Sequence, residues 1–330
     1  MSEPGLLAQV FARLADGQFH SGEGLARELG VSRSAIWKSV QSLRQLGATA
    51  QAVRNRGYRL VGAGEPLAAD RIRRLLQPDV RLCIDRLDVV WSTSSTNSVL
   101  MQRQQPPVGH GEALLAEYQT SGRGRRGRAW LAPPGGAICL SLSWTFAEVP
   151  RDLGAFGLVI GVCALRALTA LGLTRVQLKW PNDLLIGERK LAGVLIELRA
   201  ESGGPACVVI GIGLNIALGA VLNEKLQRMG LAPIDLIMAG IREPARNAIA
   251  AGLLNAFVSG ILQFERGGLK PFMEEWEVAD ALRGRQVEVR AGNSTALGIA
   301  RGIDVNGALV LETPMGVQKL ISGDVSVRAA

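Results

Sequence analysis

The chain is poor in the side chains that most often carry acid–base and metal chemistry. Its 330 residues include only two histidines, His20 and His110. That excludes a histidine-rich zinc site and argues against a Ser-His-Asp hydrolase. Four cysteines, Cys83, Cys139, Cys163 and Cys207, lie far apart with no C-x-x-C pair, so reduced, buried thiols are expected. The first residues, Met1-Ser-Glu-Pro-Gly5, have neither a basic n-region nor an apolar h-region, so no signal peptide and a cytoplasmic location are expected. One apolar run, 153–171, approaches the length of a membrane span. It contains Arg166 and several glycines, so a buried helix is expected and no membrane partner. Lysine is scarce as well: six of 37 basic residues, against a net charge of +8. The charge is therefore mostly arginine, whose planar fork suits phosphate and carboxylate. Hydrophobic residues make up 48% and charged residues 20%, a soluble globular composition long enough for two or three domains.

What is present concentrates in one stretch. Gly122-Arg-Gly-Arg-Arg-Gly-Arg128 holds four arginines and three glycines with no acid, and Trp130 follows. Glycine lets backbone N–H groups approach an anion, and arginine supplies permanent charge. Gly122, Gly124 and Gly127 also match the dinucleotide fingerprint G-x-G-x-x-G after a strand-like run. That motif needs a helix to start inside it. The continuation through Pro133-Pro-Gly-Gly136 cannot be helical. A solvated basic loop is the plain alternative to an anion cradle, and the neighbouring motifs must decide. Four like charges and three glycines predict a loop that orders around its ligand.

Read in order, apolar spacing predicts helices over 6–16, 22–29 and 33–46, with Ser21 and Ser32 as caps. Short strands over 49–53 and 57–60 follow, around the basic turn Arg54-Asn55-Arg56. This is a winged helix-turn-helix pattern. Ser32, Arg33, Ser34, Trp37, Lys38 and Gln41 on the recognition helix, with Arg54 and Arg56 on the wing, are the candidate DNA contacts. A three-helix protein-interaction module is the competing reading. Gly62–Pro66 is linker-like, and a short helix over 69–76 follows it. Strands are then expected over 87–91, 113–118, 137–144, 175–180, 184–186, 191–198 and 207–216. Helices near 96–104, 152–171, 247–265 and 269–278 are interspersed. That order suggests a mixed or mainly antiparallel sheet with helices packed on it. Short alternating strands from 286 onward, with an Asp304-Val-Asn-Gly307 turn, suggest an SH3-like barrel. The expected domains are 1–64, 65–279 and 280–330, an α+β multidomain arrangement.

Polar groups gather at four further places in the middle domain: Ser94-Ser95-Thr96-Asn97, Lys179-Trp-Pro-Asn182-Asp183, Arg189-Lys190-Leu-Ala-Gly193 and Gly211-Ile-Gly213-Leu-Asn215. Together with Gln119 and the arginine stretch, their order resembles the biotin protein ligases. With the winged helix in front and the barrel behind, the whole chain is similar to the BirA family of bifunctional ligases and biotin-operon repressors. The resemblance implies a class II synthetase-like catalytic sheet. It also implies two-step acyl transfer from biotin and ATP, with Mg²⁺, to a lysine of the biotin carboxyl carrier protein of acetyl-CoA carboxylase. It implies, further, operator DNA as a partner and a homodimer once adenylate is bound.

Carried over onto this sequence, the resemblance assigns Ser95, Thr96, Asn97 and Gln119 to biotin's ureido ring and nearby atoms. Arg123, Gly124, Arg125 and Lys190 fall on the carboxylate and adenylate phosphate. Arg125, Arg126, Arg128, Trp130, Lys179, Asn182 and Asn215 fall on the nucleotide side. Asp183 is placed near the metal and as the group that helps deprotonate the incoming lysine. Two features depart from the family pattern. Ser94 stands where an acid is more common, and no tryptophan follows Asn215 to cover the adenine. A lipoate ligase, and a biotin-responsive regulator with weak ligase activity, are the rival readings.

Overall fold

A computed structural model describes residues 5–62, 64–200, 204–291, 294–321 and 325–329. The chain opens with α1 (Leu6–Leu14), α2 (Gly22–Glu28) and α3 (Arg33–Gln45), then the hairpin β1 (Ala50–Val53) and β2 (Gly57–Leu60). Ser21 Oγ accepts the Gly24 N–H at 3.0 Å and Ser32 Oγ accepts the Ala35 N–H at 3.2 Å. Each satisfies a donor that the first helical turn leaves orphaned. Between α2 and α3, Gly30 takes φ +64°, and the Val31 N–H returns to Ala26 O at 2.9 Å. Val10, Phe11, Leu14, Leu25, Ile36, Val40 and Leu43 close a core separate from that of the following domain. The unit docks through a Phe11–Trp91 ring contact at 5.1 Å.

The middle domain runs α4 (Ala69–Leu75), α5 (Pro78–Cys83), β3 (Ile84–Thr93), α6 (Thr96–Gln102), β4 (Gly111–Gln119), β5 (Ala137–Phe146), α7 (Phe156–Ala170), β6 (Val176–Lys179), β7 (Asp183–Ile186), β8 (Arg189–Ala200), β9 (Ala206–Asn215), α8 (Gly219–Arg228), α9 (Arg246–Gly267) and α10 (Met273–Ala279). Its seven strands lie in the order β3-β4-β5-β9-β8-β7-β6. Only β3–β4 is parallel. Alternation splits the strands into two faces. Ile138, Leu140, Leu142 and Trp144 of β5, with Val208, Ile210, Ile212 and Leu214 of β9, join the core that α7 and α9 cover. The residues between them face the other way, where α6 lies over Leu114 and Val209.

Two helices, Leu153–Ala170 and Arg246–Gly267, are long and apolar enough to cross a membrane, and most of each is buried inside the protein. The run over 153–171 is thus a core helix, as expected. Helices α5 and α8 were not expected from the sequence. The first is a single Pro-initiated segment of six residues, and the second carries only one buried side chain, Leu226. Neither offers an apolar stripe to read.

The last unit is an antiparallel sheet of β10 (Gln286–Ala291), β11 (Ser294–Ile303), β12 (Leu309–Thr313), β13 (Gly316–Leu320) and β14 (Val325–Ala329), in the order β13-β12-β11-β10-β14. It is fastened to the middle domain by the buried Trp180, whose Nε1–H donates to Gly307 O at 3.0 Å. The linker is fastened at its other end by a buried ion pair. Arg246, fully enclosed, lies 2.7 Å from Glu117 and donates to Glu65 O at 3.1 Å.

Candidate active site

The site is built on the face of the sheet away from α7 and α9. Cross-strand pairing lines up Lys179, Asp183, Gly193, Gly213 and Cys139 as one row. A neighbouring row is Leu195, Gly211, Ser141 and Leu114. Directly opposed residues share a face, so the glycines of β9 leave a trough in the middle of this floor. The trough is already filled from above. A Cβ on Gly211 would lie 2.2 Å from Asn97 Oδ1, and one on Gly213 would lie 2.3 Å from the Trp130 ring. Glycine is required at both positions because another group occupies the space.

Ser95 caps α6, its Oγ accepting from Ser98 N–H at 3.5 Å, and this presents Thr96 and Asn97 to the floor. Both are buried. Gln119 Oε1 accepts from Thr96 N–H at 2.8 Å and lies 3.2 Å from Thr96 Oγ1. The Ser141 hydroxyl, fully enclosed, lies 2.7 Å from Thr96 Oγ1 and 2.5 Å from Asn97 Oδ1. Asn97 Nδ2 donates to Glu197 at 2.8 Å, and Glu197 also accepts from Arg123 at 3.0 Å. Beneath Gln119, burial pushes the Cys139 thiol up to about 12, against smaller downward pulls from Arg246 and a hydrogen bond with Gln119. The thiol stays protonated and takes no part as a nucleophile.

The arginine stretch is a folded hairpin. Gly124 N–H bonds Arg128 O at 2.7 Å and Trp130 N–H bonds Gly122 O at 2.8 Å. Arg126, at φ 58°, turns the tip. The stretch carries no acid of its own. Its missing acid comes from β8, where Glu197 meets Arg123, and its end is held by Trp130 lying on Gly213. Arg125 is half-buried and donates to Asn182 Oδ1 at 3.5 Å, while Gly124 is half-buried and Arg126 and Arg128 are exposed.

Opposite the hairpin, Lys190 Nζ lies 2.6 Å from Asp183 Oδ1 and 5.9 Å from the Trp130 ring centroid. Asn182 is held by its Nδ2–H donating to Val194 O at 2.7 Å. Asn215 spends its amide protons on Lys190 O at 3.2 Å and Ile234 O at 3.0 Å. Its side chain therefore fixes the strand that carries Lys190. Lys179 sits one pair outward from Asp183 in the same row. The geometry thus brings together Ser95, Thr96, Asn97, Gln119, Arg123, Arg125, Trp130, Asn182, Asp183 and Lys190.

Ser141 and Glu197 escaped the sequence reading. Ser141 had a signal, since β5 alternates Ile-Cys-Leu-Ser-Leu-Ser-Trp-Thr and its polar face could have been marked. Glu197 had none, because its partners are distant in the chain.

In the N-terminal unit, Ser32, Arg33, Ser34, Trp37 and Lys38 lie exposed on α3, and Gln41 is half-exposed. Arg54 and Arg56 are exposed on the wing, with the Arg56 guanidinium 4.3 Å over the Phe19 ring. The Ser32 hydroxyl is used in capping α3.

Comparison with known proteins bears on the whole arrangement. Residues 89–215 match the biotin/lipoate A/B protein ligase family, 7–59 an HTH domain and 283–328 the biotin protein ligase C terminal domain. The bifunctional ligase/repressor BirA of Salmonella typhimurium is 39% identical over 324 residues, covering 97% of both chains. That of Escherichia coli is 38% identical, over 98% of this chain and 97% of its own. A solved biotin protein ligase from Aquifex aeolicus in complex with biotin and ATP superposes with a TM-score of 0.63 at 26% identity, covering 75% of this chain and 100% of that one.

Proposed function

Because the chain belongs to the biotin protein ligase family, in its bifunctional ligase/repressor form, we propose that the glycine trough, the arginine hairpin and the Lys190–Asp183 pair make up one site for forming and using biotinyl-5′-adenylate. The chain is an ATP-dependent biotin ligase. In the first step the biotin carboxylate oxygen attacks the α-phosphorus of ATP, and pyrophosphate leaves. In the second, a lysine amine of the biotin carboxyl carrier protein attacks the acyl carbon, AMP leaves, and an amide remains.

Neither step needs a nucleophilic side chain. Both need two anions held together, which is electrostatic and positional work. The polar groups of Thr96, Asn97 and Gln119 face the ureido ring, with Ser95 positioning the helix that bears the first two. Arg123, the Gly124 backbone and Arg125 enclose the carboxylate and phosphate from one side, and Lys190 from the other. Trp130 forms the wall, Asn182 steadies Arg125, and Lys179, Arg126, Arg128 and Asn215 line or support the nucleotide side. No group of three or more His, Cys, Asp or Glu side chains suited to a metal occurs among the described residues. Mg²⁺ commonly needs only one or two carboxylates besides substrate phosphates. Asp183 would hold it, and the ion would supply neutralisation of phosphate charge. Asp183 also helps deprotonate the incoming lysine in the second step.

The winged helix makes the chain a biotin-dependent repressor, reading operator DNA through α3 and touching the backbone with Arg54 and Arg56. Adenylate would favour a homodimer by edge-strand pairing, and two winged domains would then meet a palindromic site. The protein is cytoplasmic in this account, its partners being carrier protein and DNA.

The observation that carries the reading is the convergence of Arg125, Asn182, Asp183 and Lys190 on a floor whose central side chains are missing. ATP–pyrophosphate exchange with biotin and with lipoate tests it. Exchange stimulated by biotin and not lipoate is expected, and stimulation by lipoate alone would contradict it.

A further inference from the structure

Glu197 of β8 stands where the two halves of the ligand site meet. One carboxylate accepts Asn97 Nδ2 at 2.8 Å and Arg123 at 3.0 and 3.3 Å. Hydrogen-bond arithmetic shows what this contact decides. The Ser141 hydroxyl has one proton, and Asn97 Oδ1 has none to give, so Ser141 donates to it across 2.5 Å. Asn97 must then turn its amide nitrogen the other way, towards an acceptor. Glu197 is an acceptor that cannot act as a donor while ionised. The amide orientation over Gly211 is therefore set by Glu197, and the Ser141 hydroxyl, able to donate or accept, follows it.

The other contact of Glu197 fixes Arg123, in a loop that carries no acid of its own. Arg123 pairs across the hairpin with Ala129, one residue before Trp130. At the base of the loop, Ser121 N–H bonds Ser94 O at 2.9 Å. With the Ser141 proton committed to Asn97, the Thr96 hydroxyl donates to Ser141 at 2.7 Å and the Thr96 N–H keeps the bond to Gln119 at 2.8 Å. The hydrogen-bonded chain therefore runs from Gln119 through Thr96, Ser141, Asn97 and Glu197 to Arg123, and returns by the backbone. With its side chain 24% exposed against 43% for Arg123, the ion pair is too wet to contribute much to folding. Its value lies in geometry.

The geometry points to Glu197 as a positioning residue for biotin activation: it holds the Asn97 carboxamide and the Arg123 guanidinium in one frame, so that the ureido and carboxylate ends of the ligand are bound in register. This rests on the ligase reading. It predicts that weakening Glu197 harms ligand capture and retention more than turnover. Glutamine at this position keeps an acceptor but loses the charge and can flip its amide. Aspartate keeps the charge but is one methylene too short to span both partners.

The test uses the full-length chain as wild type, Glu197→Gln, Glu197→Asp, Arg123→Gln and the Arg123→Gln/Glu197→Gln double variant. Biotin-dependent pyrophosphate release gives KM and kcat, chase of preformed adenylate gives its release rate, and thermal melting controls for folding. Glu197→Gln should raise the KM for biotin about tenfold or more and speed adenylate release similarly, with a smaller fall in kcat and little change in Tm. In the Arg123→Gln background, most of its effect on release should vanish, since coupled residues are not additive. Glu197→Asp should shift in the same direction, which keeps the test available if the glutamine variant folds poorly. Unchanged KM and release in both single variants, or full additivity with Arg123→Gln, would overturn the role of Glu197. A wild-type chain that releases no pyrophosphate with biotin would instead overturn the ligase reading, and the first assay separates the two.

Discussion

Lys190 Nζ and Asp183 Oδ1 are 2.6 Å apart, on adjacent strands β7 and β8. The lysine charge is thus neutralised locally by a carboxylate one strand away. Gly193, paired with Asp183, leaves only 3.0 Å between a notional Cβ and Lys190 Nζ, so the ammonium lies along the sheet surface.

Separate consequences follow for the two partners. If Lys190 stabilises charge during adenylation as proposed, Lys190→Ala should lower pyrophosphate release on the order of 10²–10³-fold. Asp183→Asn keeps the shape and loses the proton acceptor. Single-turnover transfer of preformed biotinyl-adenylate to the carrier lysine should slow more than adenylate formation does. Equal slowing of both steps would remove Asp183 from deprotonation.

Arg125 is half-buried in the hairpin and reaches Asn182. Arg125→Gly should speed adenylate release by about tenfold or more, while Tm changes little because the hairpin backbone bonds do not involve its side chain. A filter-binding chase of labelled adenylate reads this directly. Retention equal to that of the wild type would exclude Arg125 from the clamp.

The floor predicts a graded pair of glycine variants. Gly211→Ala drives a methyl to 2.2 Å from Asn97 Oδ1, and Gly213→Ala drives one to 2.3 Å from the Trp130 ring. The first should raise the KM for biotin and the second the KM for ATP, each by about tenfold, through displacement of a group that positions the ligand. Steady-state kinetics with each substrate varied in turn distinguishes them. Identical KM effects from both variants would contradict the division of the trough.

The motifs were legible because their chemistry is local: a Gly/Arg loop, a serine cap, a Pro-Asn turn and one Asn-Gly turn all show in short windows. The winged helix was legible for the same reason, since Ser21 and Ser32 mark helix starts and Ile36, Val40 and Leu43 recur at helical spacing. What stayed hidden was pairing at a distance. Nothing near Glu197 indicates Asn97 or Arg123, and nothing near Arg246 indicates Glu117. Helices α5 and α8 were missed because they bury too little to leave a pattern. The hairpin's ion pair was hidden for the same reason, since its neutralising acid lies on another strand.

The exposed cations of the N-terminal unit should act on DNA alone. Replacing Arg33 or Lys38 with alanine should weaken operator binding and flatten its salt dependence by roughly one phosphate contact each, with ligation rates unchanged. Operator binding by the wild type should tighten with biotin and ATP together. Fluorescence anisotropy at several salt concentrations reads both effects, and affinity indifferent to biotin plus ATP would contradict the repressor account.

The central claim is that this site makes biotinyl-adenylate and passes its acyl group to a carrier lysine. Intact-mass analysis of a biotin carboxyl carrier domain, incubated with the chain, biotin, ATP and Mg²⁺, tests it most directly. The account predicts one biotinyl group added to one lysine, dependent on ATP and lost with Lys190→Ala. An unmodified carrier domain under the same conditions with the wild-type chain would contradict it.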